Sequence, residues 1–262
     1  MLPLGRWTVG AALGALRTSL HFEETGAGDP LIFLPGFSAS FTDYPSIRAL
    51  LSRHWHVISI DLPGSGRSGP QPRSYTRNYL EDDAKTITTL VRSRVSKPVH
   101  IVGHSDGGEV GLLIASLHTD VARSVVAWGA TGAIDETHRS AATFFHNVVD
   151  DNSEESAAYR DYLINAYGEE NARTMTQSFA RVISAAIEDG GDLSRSRAHQ
   201  IGCPVLLVAG EHDVFAPKAL IDAYATRVPV AETVEVAGGG HDIHATHTLI
   251  FEQTVLNWLV SH

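Results

Sequence analysis

Residues 99–111 constrain this chain more than any other stretch: Val99-His100-Ile101-Val102-Gly103-His104-Ser105-Asp106-Gly107-Gly108-Glu109-Val110-Gly111. The segment opens as an apolar, β-branched run, the pattern of a strand buried on both faces. It turns through Gly103-His104-Ser105-Asp106-Gly107 and continues into Val110-Gly111-Leu112-Leu113-Ile114-Ala115, which reads as a helix buried on most sides. Strand, G-x-S-x-G turn and helix in that order form the pattern of a nucleophile elbow. The glycines let backbone segments pass closely while one strained residue is held at the apex. Ser105 is thereby expected above the carboxyl end of a sheet, at the positive end of the following helix. A passive serine in a glycine-rich turn is the competing reading, and segments further along the chain weigh against it.

The flanking sequence supplies the sheet. Ser19-Leu20-His21-Phe22-Glu23-Glu24 alternates as a half-exposed strand does, and Gly26-Ala27-Gly28-Asp29-Pro30 turns it. Leu31-Ile32-Phe33-Leu34 is an apolar strand ending in Pro35-Gly36-Phe37-Ser38. A helix is predicted over 44–53 with Asp43 as its N-cap, then a strand His56-Val57-Ile58-Ser59-Ile60, then a helix over 75–95. Ser124-Val125-Val126-Ala127-Trp128-Gly129 follows the elbow helix. Strands alternating with helices imply a mainly parallel sheet covered on both faces.

Residues 132–200 break that alternation. They lack a buried-strand signal and carry helix-like blocks at 153–167, where Ser153 suits an N-cap, and at 169–188. The segment reads as a helical insertion over the carboxyl edge of the sheet. Alternation returns with Val205-Leu206-Leu207-Val208-Ala209, a helix over 218–227, the strand Thr233-Val234-Glu235-Val236 and a last amphipathic helix over 246–260. The domain reading is therefore a core of 1–131 and 201–262, interrupted by a helical cap of 132–200, within 262 residues. Residues 7–16 are a short apolar run after Arg6. They are too short and glycine-rich to span a bilayer, and a lead-in strand or hairpin is expected there.

Two further loops follow strands and carry the groups a serine needs. Gly210-Glu211-His212-Asp213 places a carboxylate, and Gly238-Gly239-Gly240-His241 places an imidazole on what reads as a flexible loop. A serine hydroxyl is a poor nucleophile until a base takes its proton, and the base needs a carboxylate to hold its tautomer. Ser105, His241 and Asp213 are the candidates, in the chain order Ser–Asp–His. Glu211 is the alternative acid, less suitable because it lies nearer the strand; capping of the helix near Pro217 is the alternative role for Asp213. His244 and His247 are the alternative bases. The oxyanion of an attacked carbonyl needs amide donors, for which the N–H groups of Asp106 and Phe37 are placed.

The formal charge of −10 argues against a nucleic-acid partner, and no Lys/Arg run suggests an anionic membrane surface. One cysteine, Cys203, excludes an internal disulfide and fits a reducing, cytoplasmic compartment; its place before an apolar strand suits a buried thiol. His241, His244 and His247 recur at a spacing of three, but no matching carboxylate or cysteine pattern accompanies them, so no metal is assigned. No phosphate-binding glycine motif or paired CxxC is present either, and no cofactor is expected.

Taken together, Leu34-Pro35-Gly36-Phe37, Asp61-Leu62-Pro63-Gly64-Ser65-Gly66-Arg67-Ser68, Gly103-His104-Ser105-Asp106-Gly107-Gly108, Gly210-Glu211-His212-Asp213 and Gly240-His241 resemble the α/β-hydrolase superfamily. The similarity is to its capped serine-hydrolase branch, and the G-x-S-D-G-G form is similar to that of the biphenyl-hydrolase-like and valacyclovirase-type esterases. The resemblance implies an α/β-hydrolase fold: a mostly parallel sheet, helices on both faces and a helical cap between strands 6 and 7. It implies a carboxylic-ester hydrolase working through an acyl-enzyme on a small molecule, with Phe144, Phe145, Tyr159, Tyr162 and Phe179 of the cap lining the substrate pocket. A carbon–carbon bond hydrolase or a lyase on the same scaffold is the alternative, and a non-catalytic binding protein a more distant one. Aspartate-nucleophile relatives are argued against by Ser105. Pro35 departs from the histidine usual in the family. The carboxylate of Asp106 also needs a partner, for which an internal donor is favoured over a substrate ammonium group.

Overall fold

A computed structural model describes residues 5–8 and 18–262. Its frame is an eight-stranded sheet in the order β1-β2-β4-β3-β5-β6-β7-β8. The strands are β1 (Gly5–Thr8), β2 (Ser19–Thr25), β3 (Pro30–Leu34), β4 (His56–Ile60), β5 (Val99–His104), β6 (Ala122–Trp128), β7 (Val205–Gly210) and β8 (Ala231–Val236). The pairs β1/β2 and β2/β4 are antiparallel; every later pair is parallel. β1 pairs antiparallel with β2 as a lead-in strand, while residues 9–16 of the apolar run lie outside the described residues.

The helices are α1 (Pro45–Leu51), α2 (Tyr79–Arg94), α3 (Asp106–Leu117), α4 (Arg139–Asn147), α5 (Glu154–Tyr167), α6 (Glu169–Glu188), α7 (Lys218–Ala225), α8 (Ile243–Thr246) and α9 (Thr248–Ser261). Alternation along a strand sends its side chains to two cores. In β3, Ile32 and Leu34 join a cluster with Leu90 of α2, Val110 and Ile114 of α3 and Tyr224 of α7. Leu31 and Phe33 face the other way and pack with Ile47 of α1 and Phe251 and Val255 of α9. Both faces of the central strands are thus covered, which is why they read as unbroken apolar runs. Between β6 and β7 the chain forms α4, α5 and α6, whose Leu163, Met175 and Phe179 continue the first cluster.

Two predicted helix starts are corrected. α1 begins at Pro45, not residue 44, and Asp43 does not cap it. Asp43 closes a short 3₁₀ turn (Phe41–Asp43) with Ser40, accepting the Ser40 N–H at 2.8 Å, while proline at the first helical position sets the start of α1. α2 begins at Tyr79, not 75. Residue 75 lies outside the helix, with its N–H donated to Ser178 Oγ of α6 at 2.8 Å. By contrast, Ser153 does cap α5, its side chain accepting the Ser156 N–H, and Cys203 is buried.

Candidate active site

The elbow takes its shape from glycine. A Cβ on Gly107 would stand 2.3 Å from the Leu34 carbonyl oxygen and 2.4 Å from that of Pro35; one on Gly103 would stand 2.3 Å from the Gly107 oxygen. Strand, helix and neighbouring loop can approach this closely only without side chains. Ser105 sits at the turn with φ 51 and ψ −121, in a region that non-glycine residues avoid and that costs about 1–3 kcal/mol. Its N–H is donated to the Trp128 carbonyl at 2.8 Å, and its own carbonyl accepts the Glu109 N–H at 2.9 Å, starting α3. The strain is held on both sides, so the side chain stays at the apex.

The loops after β7 and β8 bring Asp213 and His241 together. His241 Nδ1 lies 2.9 Å from Asp213 Oδ2 and 3.0 Å from Oδ1. Asp213 is buried, and Oδ1 also accepts the N–H groups of Phe215 and Ala216, each at 2.9 Å. The carboxylate is thus fixed by its own loop; it does not cap α7, whose N-cap is Pro217. Glu211 points elsewhere and accepts the Gly238 N–H at 2.7 Å. His212 donates its N–H to the Gly239 carbonyl at 2.7 Å, so the glycine run before His241 is pinned rather than free to swing. The His241 ring lies against Gly129, where a Cβ would come within 2.6 Å of its Cε1. Gly129 follows Trp128, the residue that accepts the Ser105 N–H, and this sets the imidazole beside the elbow.

Ser105, His241, Phe37 and Asp106 border one cavity of about 530 Å³. Its opposite wall is made by α4, α5 and α6, and all five aromatic residues singled out in the sequence line it: Phe144, Phe145, Tyr159, Tyr162 and Phe179. The rings interlock. Phe37 stacks on Phe179 with centroids 3.8 Å apart and meets Phe145 edge-on at 5.3 Å. The loop after β3 brings Gly36 against the elbow, where a Cβ on Gly36 would stand 3.3 Å from Ser105 Cβ. That proximity brings the loop that carries Phe37 beside Ser105.

Two buried carboxyls line the cavity as well. Burial raises Asp106 to about 7, and the Tyr79 hydroxyl, which donates to its Oδ2 at 3.0 Å, partly opposes the rise. Tyr79 is the internal partner the sequence left unnamed. Glu109 is also raised to about 7 by burial; its Oε1 accepts the N–H groups of Thr131 and Gly132 at 2.7 and 2.8 Å. Glu109 sits one helical turn after Asp106, and that spacing was the signal that could have flagged it.

His104 was likewise not singled out. Burial depresses its pKa well below the ordinary imidazole value, keeping it neutral. Tyr44 OH lies 2.8 Å from its Nδ1, and its Nε2 lies 3.2 Å from the His241 carbonyl. Donor atoms of His104, Asp242 and His244 lie within 4.8 Å of one another, but both His104 nitrogens are already engaged, and His247 is not in the group. His244 packs on Tyr44 with centroids 4.6 Å apart, and burial lowers its pKa to about 4. No described helix is long and apolar enough to cross a membrane.

Comparisons with known proteins bear on the family and the fold. A family model described as the alpha/beta hydrolase family matches residues 31–252. The serine hydrolase BPHL of Mus musculus is 27% identical over 244 residues, covering 92% of this chain and 82% of that protein. A protein described as the putative carbamate hydrolase RutD of Caulobacter vibrioides is 28% identical over 279 residues, covering 97% of this chain and 98% of its own. Among solved structures, a serine hydrolase involved in carbazole degradation superposes with a TM-score of 0.75 at 20% identity, over 99% of this chain and 100% of its own.

Proposed function

The chain belongs to the alpha/beta hydrolase family and has its fold, and from that premise we propose that it is a serine hydrolase cleaving carboxylic esters of small molecules. The observation that carries this reading is the Asp213 carboxylate held on His241 Nδ1 at 2.9 Å, at the rim of the cavity into which the strained elbow presents Ser105. With Nδ1–H donated to Asp213, the His241 ring keeps Nε2 free to accept a proton.

In this mechanism His241 Nε2 takes the Ser105 proton as Oγ attacks the ester carbonyl. The carbonyl electron pair moves onto oxygen, and the N–H groups of Phe37 and Asp106 hold the resulting oxyanion. Collapse breaks the bond to the alkoxide, which leaves with the proton from His241, and an acyl-Ser105 remains. A water molecule then repeats the sequence: His241 takes its proton, the oxygen attacks the acyl carbon, and Ser105 leaves with the proton. Asp213 stays ionised throughout and stabilises the imidazolium. An ester's alkoxide is a better leaving group than an amide's nitrogen, so ester cleavage asks less of these groups than amide cleavage does.

A cavity of about 530 Å³ lies within the range of small-molecule sites. The interlocked rings from the inserted helices favour an apolar acyl or alcohol group, and the helices serve as the cap of the site. A partner as large as a nucleic acid or a membrane surface has no part in this reading. The test is a panel of p-nitrophenyl esters of graded chain length, run beside lactones and carbamates with labelling by a fluorophosphonate. Ester turnover with a burst, abolished by labelling, is the expected result. Labelling without turnover of any ester, or turnover confined to another bond, overturns the assignment.

A further inference from the structure

Among the described residues only two non-glycine residues have a positive φ: Ser105 at 51° and Ser38 at 61°. The first is explained by the elbow. The second follows Phe37 directly and is buried, with 1% exposure. A residue held this way persists only where its surroundings over-determine it. Its own loop offers one turn contact, the Ala39 N–H donated to the Gly36 carbonyl at 3.2 Å. The rest comes from α5, 121 to 129 residues away along the chain.

Three tyrosines of that helix converge on Ser38. The Tyr159 hydroxyl lies 2.9 Å from Ser38 Oγ. Tyr167 donates its hydroxyl to the Ser38 carbonyl and accepts the Gly66 N–H at 2.8 Å, so its proton has one direction to point. Tyr162 stands 3.1 Å from the same carbonyl and 2.8 Å from Asp43 Oδ2, the nearer acceptor for its single proton. Simple packing of α5 on the core requires apolar contact, not hydroxyls on both the Oγ and the carbonyl of one strained residue. The peptide these contacts fix is continuous with Phe37. Relaxing Ser38 to a negative φ rotates the Phe37–Ser38 peptide and carries Phe37 with it.

We propose that Tyr159 and Tyr167 are positioning residues for the oxyanion donor: α5 holds Ser38 left-handed, and the Phe37 N–H is aimed at the reacting carbonyl only while α5 is seated. This rests on the proposed role of the Phe37 amide. It makes the inserted helices part of the catalytic apparatus as well as a wall of the pocket, and it couples their seating to transition-state stabilisation. Neither tyrosine touches the substrate's reacting atoms, and the effect passes through Ser38.

The experiment compares wild type with Tyr167→Phe and with Tyr159→Phe/Tyr167→Phe, variants that keep both rings. Each is assayed for kcat and KM on a p-nitrophenyl ester and for inhibition by a trifluoromethyl ketone, which adds to a serine to form an oxyanion. The double variant is expected to lose at least about tenfold in kcat and a similar factor in ketone affinity, with KM within about twofold. Ser38→Gly, which adopts the left-handed conformation without strain, is expected to recover part of that loss in the double variant. An active wild type and a folded double variant with unchanged kcat and ketone affinity overturn the proposal. So does a loss confined to KM, which a pocket-lining role alone produces. A wild type that neither turns over an ester nor binds the ketone overturns instead the reading of the site, and the positioning role falls with it.

Discussion

The Tyr44 hydroxyl stands 2.8 Å from Nδ1 of His104 and also accepts the Gly36 N–H at 3.2 Å. One side chain thereby ties the loop that carries Phe37 to the strand that carries Ser105. Because His104 is neutral and its Nε2 reaches the His241 carbonyl, the chain of contacts runs on to the loop of the proposed base. Removing the hydroxyl leaves two buried polar groups without their partner. Tyr44→Phe is expected to destabilise the protein by about 2 kcal/mol or more, an unmade hydrogen bond costing about 1–3 kcal/mol per buried group. Urea unfolding measures it, and a change below roughly 0.5 kcal/mol would show that the contact carries little.

Ser105→Ala, His241→Ala and Asp213→Asn are each expected to lower kcat, by on the order of 10⁴-fold for the first two and a comparable factor for the third. The asparagine preserves shape but favours the wrong tautomer of His241. His247 does not line the cavity, and His247→Ala is expected to stay close to wild type. His244→Ala is expected to remain active, its cost falling on stability through lost packing on Tyr44 and His104. Circular dichroism and thermal melts separate the two kinds of loss. An inactive, fully folded His244→Ala beside an active His241→Ala would reassign the base.

Gly107→Ala tests the elbow's packing rather than its chemistry. The new Cβ would meet two backbone oxygens, of Leu34 and Pro35, at 2.3 and 2.4 Å, and neither can rotate away. A cost of about 3 kcal/mol or more is expected, at the upper end of overpacking effects. Gly202, where a Cβ meets nothing within 4 Å, is the control and should accept alanine with little change. Equal stability of the two variants would contradict the described approach of the loop after β3 to α3.

Much of this arrangement was legible because its signals are local. The apolar runs of β3, β5 and β7, the glycines around Ser105 and the Ser153 cap each dictate their own backbone, and each stands where it was expected. Asp213 and His241 were legible for another reason: a loop after a parallel strand must emerge at the carboxyl edge, where the elbow also points. What was not legible depends on contacts distant in sequence. Asp43 looks like an N-cap until Ser40 is seen to need it. Tyr75 has a helical pattern, yet it stands before α2 with its N–H on Ser178, 103 positions later. α4 carries Phe144 and Phe145 toward the cavity but has a short, polar-flanked sequence that no periodicity singled out. The Tyr44–His104 contact and the tyrosines on Ser38 belong to the same class, since no spacing along the chain brings them together.

Glu109 supplies the pH test. Burial raises it to about 7 from an ordinary glutamate value of 4.5. Between those values the folded protein keeps a proton on Glu109 that the unfolded chain has released. Stability contributed by this group is therefore full below about pH 4.5 and is lost as pH rises through about 7. Glu109→Gln keeps the carbonyl that accepts the Thr131 and Gly132 N–H groups and carries no titrating proton. The variant should match wild type near pH 5 and exceed it near pH 8 by on the order of 2 kcal/mol, the direction set by the cost of ionising a buried carboxyl. Urea unfolding of both proteins at the two pH values measures the difference, and titrating groups distant from Glu109 cancel in the comparison. If wild type and Glu109→Gln change in parallel from pH 5 to 8, the Glu109 carboxyl is not held protonated in the folded state, and the sheltered environment assigned to that end of the cavity is wrong.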